Sequence, residues 1–201
     1  MTQPKMQSPV VGMSVEDAIY GRSSVRAYKP GKLPWPDVAA LLAAAVRAPT
    51  AMHAEPWAFA VIQDSAVLRR IGEEARRLFA DEPHPELLHR GGHALDVFTR
   101  HDFDVFHGAG TLIVIGTQAE DRFAAADCWL AAGSLMLQAF AMGLGTCVIG
   151  SAVSALALPE VKREMSVPED FNAIAPIVVG IPAAAVAPTS RHEPQLLAWL
   201  P

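Results

Sequence analysis

The residues of this chain best suited to chemistry lie near its start. In Arg22-Ser23-Ser24-Val25-Arg26, two guanidinium groups bracket two hydroxyls at the point where a short helix should stop. In an extended segment side chains alternate between faces, so Arg22, Ser24 and Arg26 point the same way. A rise of about 3.3 Å per residue sets the two arginines roughly 13 Å apart. One can then pair with a phosphate while the other reaches a polar edge farther along the same ligand. The spacing fits an elongated phosphate ester; a bare phosphate would not need both. Taken alone, the pentapeptide also reads as a solvated turn between helix and loop, because motifs this short recur by accident.

A second constellation is formed by His84, His89, His93, His101 and His107, which crowd together with Asp96, Asp102 and Asp104. On a helix His89 and His93 would share a face, as metal ligands do. Gly91 and Gly92 lie between them and make such a helix costly by about 2 kcal/mol relative to alanine. Neither an HExxH pattern nor a cysteine pair accompanies them, so no metal site is expected. The segment reads instead as a cover over an active site, with Phe98, Phe103 and Phe106 offering aromatic surface to a flat substrate. Cys147 has no identifiable base nearby in sequence and reads as a small buried hydrophobe rather than a nucleophile.

The chain of 201 residues is expected to form one domain, and at that length about 70% of the surface exposed by the unfolded chain is buried. A hydrophobic fraction of 51%, a charged fraction of 18% and a mean hydropathy of +0.24 describe a globular protein richer than average in apolar residues. Some of that apolar surface can be hidden between subunits. The net charge of −5 and pI near 5.8 argue against a nucleic-acid partner, which calls for a basic stripe. Cys128 and Cys147 are too few for a disulfide framework, and the start MTQPKMQSPVVGM has no apolar run of the signal-peptide kind. The expected location is the cytoplasm.

The elements that must position these groups are legible as alternating helices and short strands. Ser14 with Asp17 forms a capping-box pattern opening a helix that closes at Gly21. Pro36 starts a helix to about Arg47, halted by Pro49. Trp57 to Gln63 reads as a strand, and Asp64 as the cap of a helix reaching about Phe79. Thr111 to Thr117 is a β-branched run suited to a buried strand. Phe123 to Met142 is long enough to span a membrane. Its Ala-rich composition, polar Asp127, Ser134 and Gln138, and lack of flanking basic clusters point instead to a helix buried in a core or between subunits, with no membrane partner. Thr146 to Ile149 reads as a short strand, Pro159 to Met165 as a brief helix and Ala173 to Ile181 as a further strand. From Pro188 a polar tail ends in Leu196, Leu197, Trp199 and Leu200, apolar residues that need somewhere to dock.

This order of motifs resembles the FMN-dependent nitroreductase family. The resemblance rests on RSSVR, on Ala48-Pro49-Thr50-Ala51-Met52-His53-Ala54-Glu55-Pro56-Trp57, on GLGTCVIGS from Gly143 to Ser151, on IVVGIPA from Ile177 to Ala183, and on Ser190-Arg191. It spans about residues 14 to 197 and is weakest over 81–110. It implies an α+β fold with a mostly antiparallel central sheet wrapped by helices, in an intertwined homodimer holding two FMN molecules between subunits. The activity it implies is transfer of hydride from NAD(P)H through FMN to a small aromatic acceptor such as a nitroaromatic or quinone. Dehalogenation, dehydrogenation of cyclised peptides, fragmentation of flavin, or flavin binding without turnover are alternatives on the same scaffold.

Carried onto this chain, the resemblance implies that Arg22, Ser23 and Ser24 lie at the FMN phosphate and ribityl chain, with Arg191 sharing the phosphate. Arg26 would approach the pyrimidine edge, where a cation favours negative charge on the reduced ring. Pro49, Thr50, Ala51 and His53 match the loop that crosses from the partner subunit. Here Ala51 stands where a second hydroxyl is usual, His53 in place of Asn and Glu55 in place of Gln. Neutral histidine still donates one hydrogen bond and accepts another, while outward-pointing His53 and an arginine-paired Glu55 remain open. Val148 and Ile149 would lie against the rear face of the flavin, with the Gly150 and Ser151 amides toward its N5 and O4 side. Local sequence alone equally describes a core strand ending in a glycine bulge. Because the flavin carries the chemistry, no catalytic side chain is expected.

Overall fold

A computed structural model describes residues 12–81 and 103–200 of the chain. Helix α1, Val15–Gly21, opens as its sequence dictates. The Ser14 hydroxyl accepts the Asp17 N–H at 3.0 Å, and the Asp17 carboxylate accepts the Ser14 N–H at 3.0 Å. Helix α2, Trp35–Ala45, carries Pro36 in its first turn, where the missing N–H costs nothing. Strand β1, Trp57–Ile62, leads to α3, Ser65–Asp81, capped by Asp64, whose Oδ1 accepts from the N–H groups of Ala66 and Val67. Strand β2, Thr111–Thr117, is buried throughout and is followed by α4, Ala124–Ala141. Strand β3, Gly145–Val148, passes through a 3₁₀ turn, Gly150–Ala152, into α5, Val153–Leu156, and α6, Pro159–Glu164, before strand β4, Asn172–Gly180.

The expected elements form within a residue or two of their sequence limits, where helix and strand ends ordinarily shift. The exception is α5, whose four residues are too few for any periodicity to be seen.

The four strands form one sheet in the order β1-β2-β4-β3, every pair antiparallel. Period-two alternation divides the strands between two cores. On one face Leu112, Val114 and Val178 pack with Leu68, Ile71 and Ala75 of α3 and with Leu156 and Val161 beyond β3. On the other, Ile113, Ile115, Ile177 and Val179 pack with Val38 and Leu41 of α2 and with Ala131, Leu135 and Ala139 of α4. A register shift between Ile115 and Gly116 breaks the alternation, so that Ala173 and Ala175 lie on opposite faces.

By length and composition α4 could cross a membrane. In this fold it lies against the sheet instead, with Cys128, Ala131, Ala132, Leu135 and Ala139 wholly buried. Its small side chains let the helix approach the strands closely, which explains why alanine rather than leucine dominates it. Trp129 and Leu130, on its other side, are exposed, as are Val15, Ile19 and Tyr20 of α1. Residues 184–200 form an exposed coil, so Leu196, Leu197, Trp199 and Leu200 find no docking place among the described residues.

Candidate functional site

The arginine segment is extended, and the structure joins it to the sheet at two places. Ser24 pairs in parallel with Thr146 of β3, where the Val25 N–H donates to the Thr146 carbonyl at 2.9 Å. Tyr28 pairs with Pro182 just beyond β4, flanked by Lys29 N–H to Ile181 O at 2.8 Å and Ala183 N–H to Ala27 O at 2.9 Å. The segment from Arg22 to Lys29 therefore forms a ribbon along the sheet edge. Ser23 and Val25 turn inward and are buried, while Arg22 and Ser24 are half-buried and Arg26 is exposed. The alternation expected from the sequence is realised.

Two glycines permit this seating. A Cβ on Gly145 would fall 2.6 Å from a methyl of Val25, and one on Gly21 would fall 2.6 Å from the Phe140 ring of α4. Contacts that short force a shift, so the ribbon lies against β3 because Gly145 lacks a side chain, and at Gly21 the Phe140 ring would have to move aside. Among the described residues, neither Arg22 nor Arg26 pairs with a carboxylate. Two neighbouring guanidiniums without a carboxylate partner are free to pair with an anion.

Beyond β3 the expected cofactor contacts divide. Ile149 is 5% exposed and its side chain belongs to the core, while its N–H donates to the Pro176 carbonyl at 2.8 Å. A flat ligand therefore meets no side-chain face of Ile149, whereas half-buried Val148 keeps one. Gly150 is exposed, with no atom within 4 Å of the position its Cβ would take. Gly150 and Ser151 open a 3₁₀ turn, whose first N–H groups have no acceptor within the turn. Burial pushes the Cys147 thiol up, partly offset by Arg26, Ser24 and Arg22, so it remains a protonated core residue.

The loop after α2 has an unusual backbone. Met52, His53 and Glu55 adopt φ of 53°, 55° and 46°, a left-handed conformation that costs each non-glycine residue roughly 1–2 kcal/mol. Met52 is 94% exposed, and His53 and Glu55 are exposed beside it. Among the described residues, no ion pair holds Glu55. The Ala51 N–H at the base of the turn donates to both carboxylate oxygens of Asp127, at 3.3 and 3.2 Å. Asp127 is 4% exposed on α4. A hydrogen bond to a charged group is worth about 1.5–3 kcal/mol, while burying a carboxylate costs several kcal/mol. The sequence reading missed this partnership, although its signal was present: Asp127 is the lone charge in an otherwise apolar helix.

The structure does not gather all the expected contacts within one chain. The ribbon and residues 145–151 come together. Among the described residues, no hydrogen bond joins the 49–53 loop to either, and Arg191 donates only to the carbonyl of the preceding residue, Ser190, from the exposed coil.

The aromatic cover needs correction. Phe106 is 3% exposed and packs into the core beside Gly72, and Phe103 is half-buried against the same cluster. The Phe106 ring is not a free platform for a substrate, because the turn at Phe103–Gly110 folds it inward, whereas half-buried Phe103 keeps part of its surface. Phe98, His84, His89, His93 and His101 lie outside the described residues. A cavity of about 590 Å³ between α3 and this turn is lined by Arg69, Gly72, Arg76 and Phe103, none of them an expected cofactor contact. His107 has φ of 57° and meets Phe103 edge-on at 6.0 Å. Burial holds its imidazole below the ordinary range, the Arg26 charge adds to this, and Asp104 opposes it.

This α+β architecture, an antiparallel sheet between helices with a cationic ribbon on its edge, defines a family. A sequence profile described as the nitroreductase family matches residues 19–181, and the chain belongs to that family. A proposed NADH dehydrogenase/NAD(P)H nitroreductase of Methanothermobacter thermautotrophicus is 25% identical over 171 residues, covering 85% of this chain and 78% of the relative. An iodotyrosine deiodinase of Thermotoga neapolitana is 30% identical over 131 residues, covering 62% of this chain and 67% of the relative. The FMN-bound nitroreductase of Bacteroides fragilis superposes with a TM-score of 0.77 at 23% identity, covering 94% of this chain and 99% of that one.

Two outcomes follow from this geometry. Gly145→Val should push the ribbon off β3 and destabilise the protein by about 1–3 kcal/mol through overpacking, measured by urea denaturation; wild-type stability would show that the ribbon yields freely. The depressed imidazole of His107 makes the unfolded chain take up its proton first as pH falls below about 6.5. Stability should therefore fall as pH drops from 6.5 toward the folded value. His107→Phe should flatten that part of the melting-temperature profile.

Proposed function

We propose that this chain is an FMN-dependent oxidoreductase that works as a homodimer, drawing electrons from NAD(P)H and passing them to a small aromatic acceptor such as a nitroaromatic or quinone. The observation that carries the reading is the ribbon: two guanidiniums and a hydroxyl on one face, free of carboxylate partners among the described residues, anchored to the sheet. Those groups fit FMN. Arg22 and Ser24 would hold the phosphate and ribityl chain, whereas Ser23, expected beside them, turns its side chain inward and could offer only its backbone; the separation of Arg26 from Arg22 matches an elongated ligand. The open approach at Gly150 and the exposed face of Val148 leave room for a flat ring beside the ribbon.

When bound, FMN supplies the electron transfer, taking hydride from NAD(P)H and returning it to the acceptor. The protein's part is to bind and tune. Arg22 offers a planar fork to phosphate oxygens, and Arg26 stabilises negative charge developing on the ring's pyrimidine edge. Ile149 contributes through its backbone, since its side chain is committed to the core. Pro49, Thr50, Ala51 and His53 stand on an outward-facing loop and would reach the flavin of the partner subunit. Arg191, in the exposed tail, would join the phosphate from there. The apolar residues left exposed on α1, α4 and the tail would be covered by the second copy. Reductive dehalogenation of an aromatic substrate is the second reading, supported by the likeness to an iodotyrosine deiodinase.

Purified protein should bind FMN, show its yellow absorption and bleach on anaerobic addition of NADPH or NADH. Bleaching by dithionite alone would overturn the NAD(P)H assignment, and turnover of 3-iodotyrosine but not of quinones would favour the second reading. Arg22→Ala should weaken FMN binding roughly 10- to 100-fold, the loss of one charge-assisted bond; unchanged affinity would refute the phosphate role. Arg26→Ala should instead shift the flavin potential about 30 mV more negative, measured by dye equilibration. Sedimentation should give a mass near twice 21.5 kDa, and a monomer would remove the shared site.

A further inference from the structure

Helix α4 carries one charge in its 18 residues, and that charge is buried. An acidic residue in a helix's first turn normally faces solvent and is stabilised by the helix dipole. Asp127 does otherwise. Among the described residues its two oxygens share a single N–H, that of Ala51, 76 positions away in the chain. With alanines and a cysteine around it, alanine at this position would avoid the desolvation cost and leave the helix intact.

The segment it holds is strained. Thr50 is extended at φ −132°, and the chain then reverses through Met52 and His53 in the left-handed region. Strained backbone persists only where its surroundings over-determine it. Two hydrogen bonds do so here: Asp127 grips the Ala51 N–H, and the Ala51 carbonyl accepts from the Ala54 N–H at 3.0 Å. Ala51 is thus fixed through both its polar groups, and His53 projects from a turn whose base is tied at both of these groups.

We infer that Asp127 is a positioning residue for the cofactor loop, its carboxylate clamping the Ala51 amide so that Thr50 and His53 are presented in the shape that meets the flavin. The inference rests on the reading of residues 49–53 as a flavin contact. It also explains how Ala51 is accommodated where the family has a hydroxyl: this residue contributes its backbone, and the buried carboxylate takes that contribution up.

Asp127→Ala and Asp127→Asn test it, the second retaining an oxygen that accepts the Ala51 N–H. Amide exchange at residues 51–54 in FMN-free protein reads the loop itself. It should quicken about tenfold or more in Asp127→Ala, the loss of one such bond, and return to within roughly threefold of wild type in Asp127→Asn. FMN binding should weaken about tenfold in the alanine variant and recover in the asparagine variant, with the melting temperature of the FMN-free protein unchanged or raised in both. Unaltered exchange at 51–54 in Asp127→Ala would overturn the clamp. Equal melting losses in both variants, with no rescue by asparagine, would reduce Asp127 to a support of α4. If wild type takes up no FMN, the flavin reading fails while the exchange experiment still decides the clamp.

Discussion

The bond from the Val25 N–H to the Thr146 carbonyl, with Gly145 beneath the Val25 side chain, is the contact on which the site depends. It converts a stretch that would otherwise be a solvated turn into a fifth ribbon beside a four-stranded sheet. Once the ribbon is held there, its alternation follows from strand geometry. Valine goes to the core, and the arginines go to the edge where β3 ends and the chain turns at Gly150. Moving the ribbon by one residue would bury a guanidinium and expose Val25, an arrangement both charge and packing oppose. The register of the cationic face is therefore secured by an apolar contact.

The loop proposed as the second half of the site is built on a different principle. The ribbon is unstrained and well paired, whereas the loop at Met52–Glu55 holds three left-handed non-glycine residues and an exposed methionine. Strain of this kind needs external support, and the chain supplies it from α4, the helix that also packs on the sheet and touches Gly21 through Phe140. One helix thereby links the end of α1, which launches the ribbon, to the base of the loop. A shift of α4 would move both together.

Much of the architecture was legible in the sequence because its signals are local. Ser14 with Asp17 and Asp64 before α3 are caps set by residues a few positions apart. The β-branched run at Thr111–Thr117 announces a buried strand, and the Ala-rich helix announces close packing. The face shared by Arg22, Ser24 and Arg26 needs only the assumption of an extended chain. Phe106, by contrast, was expected on a surface and lies in the core, since an aromatic residue reads alike in either setting until the turn at Asp104–Gly108 shows which way it points.

What the amino-acid order determined by itself, then, is the succession of elements, the cationic face and the family, because capping, alternation and motif order act over a handful of neighbours. Only the tertiary structure decided that Ile149 spends its side chain in the core, that Arg26 acts on His107, and that Asp127 reaches Ala51. Each of these joins groups brought close by strand pairing and helix packing. No pattern along the chain encodes which distant amide a solitary buried carboxylate will meet.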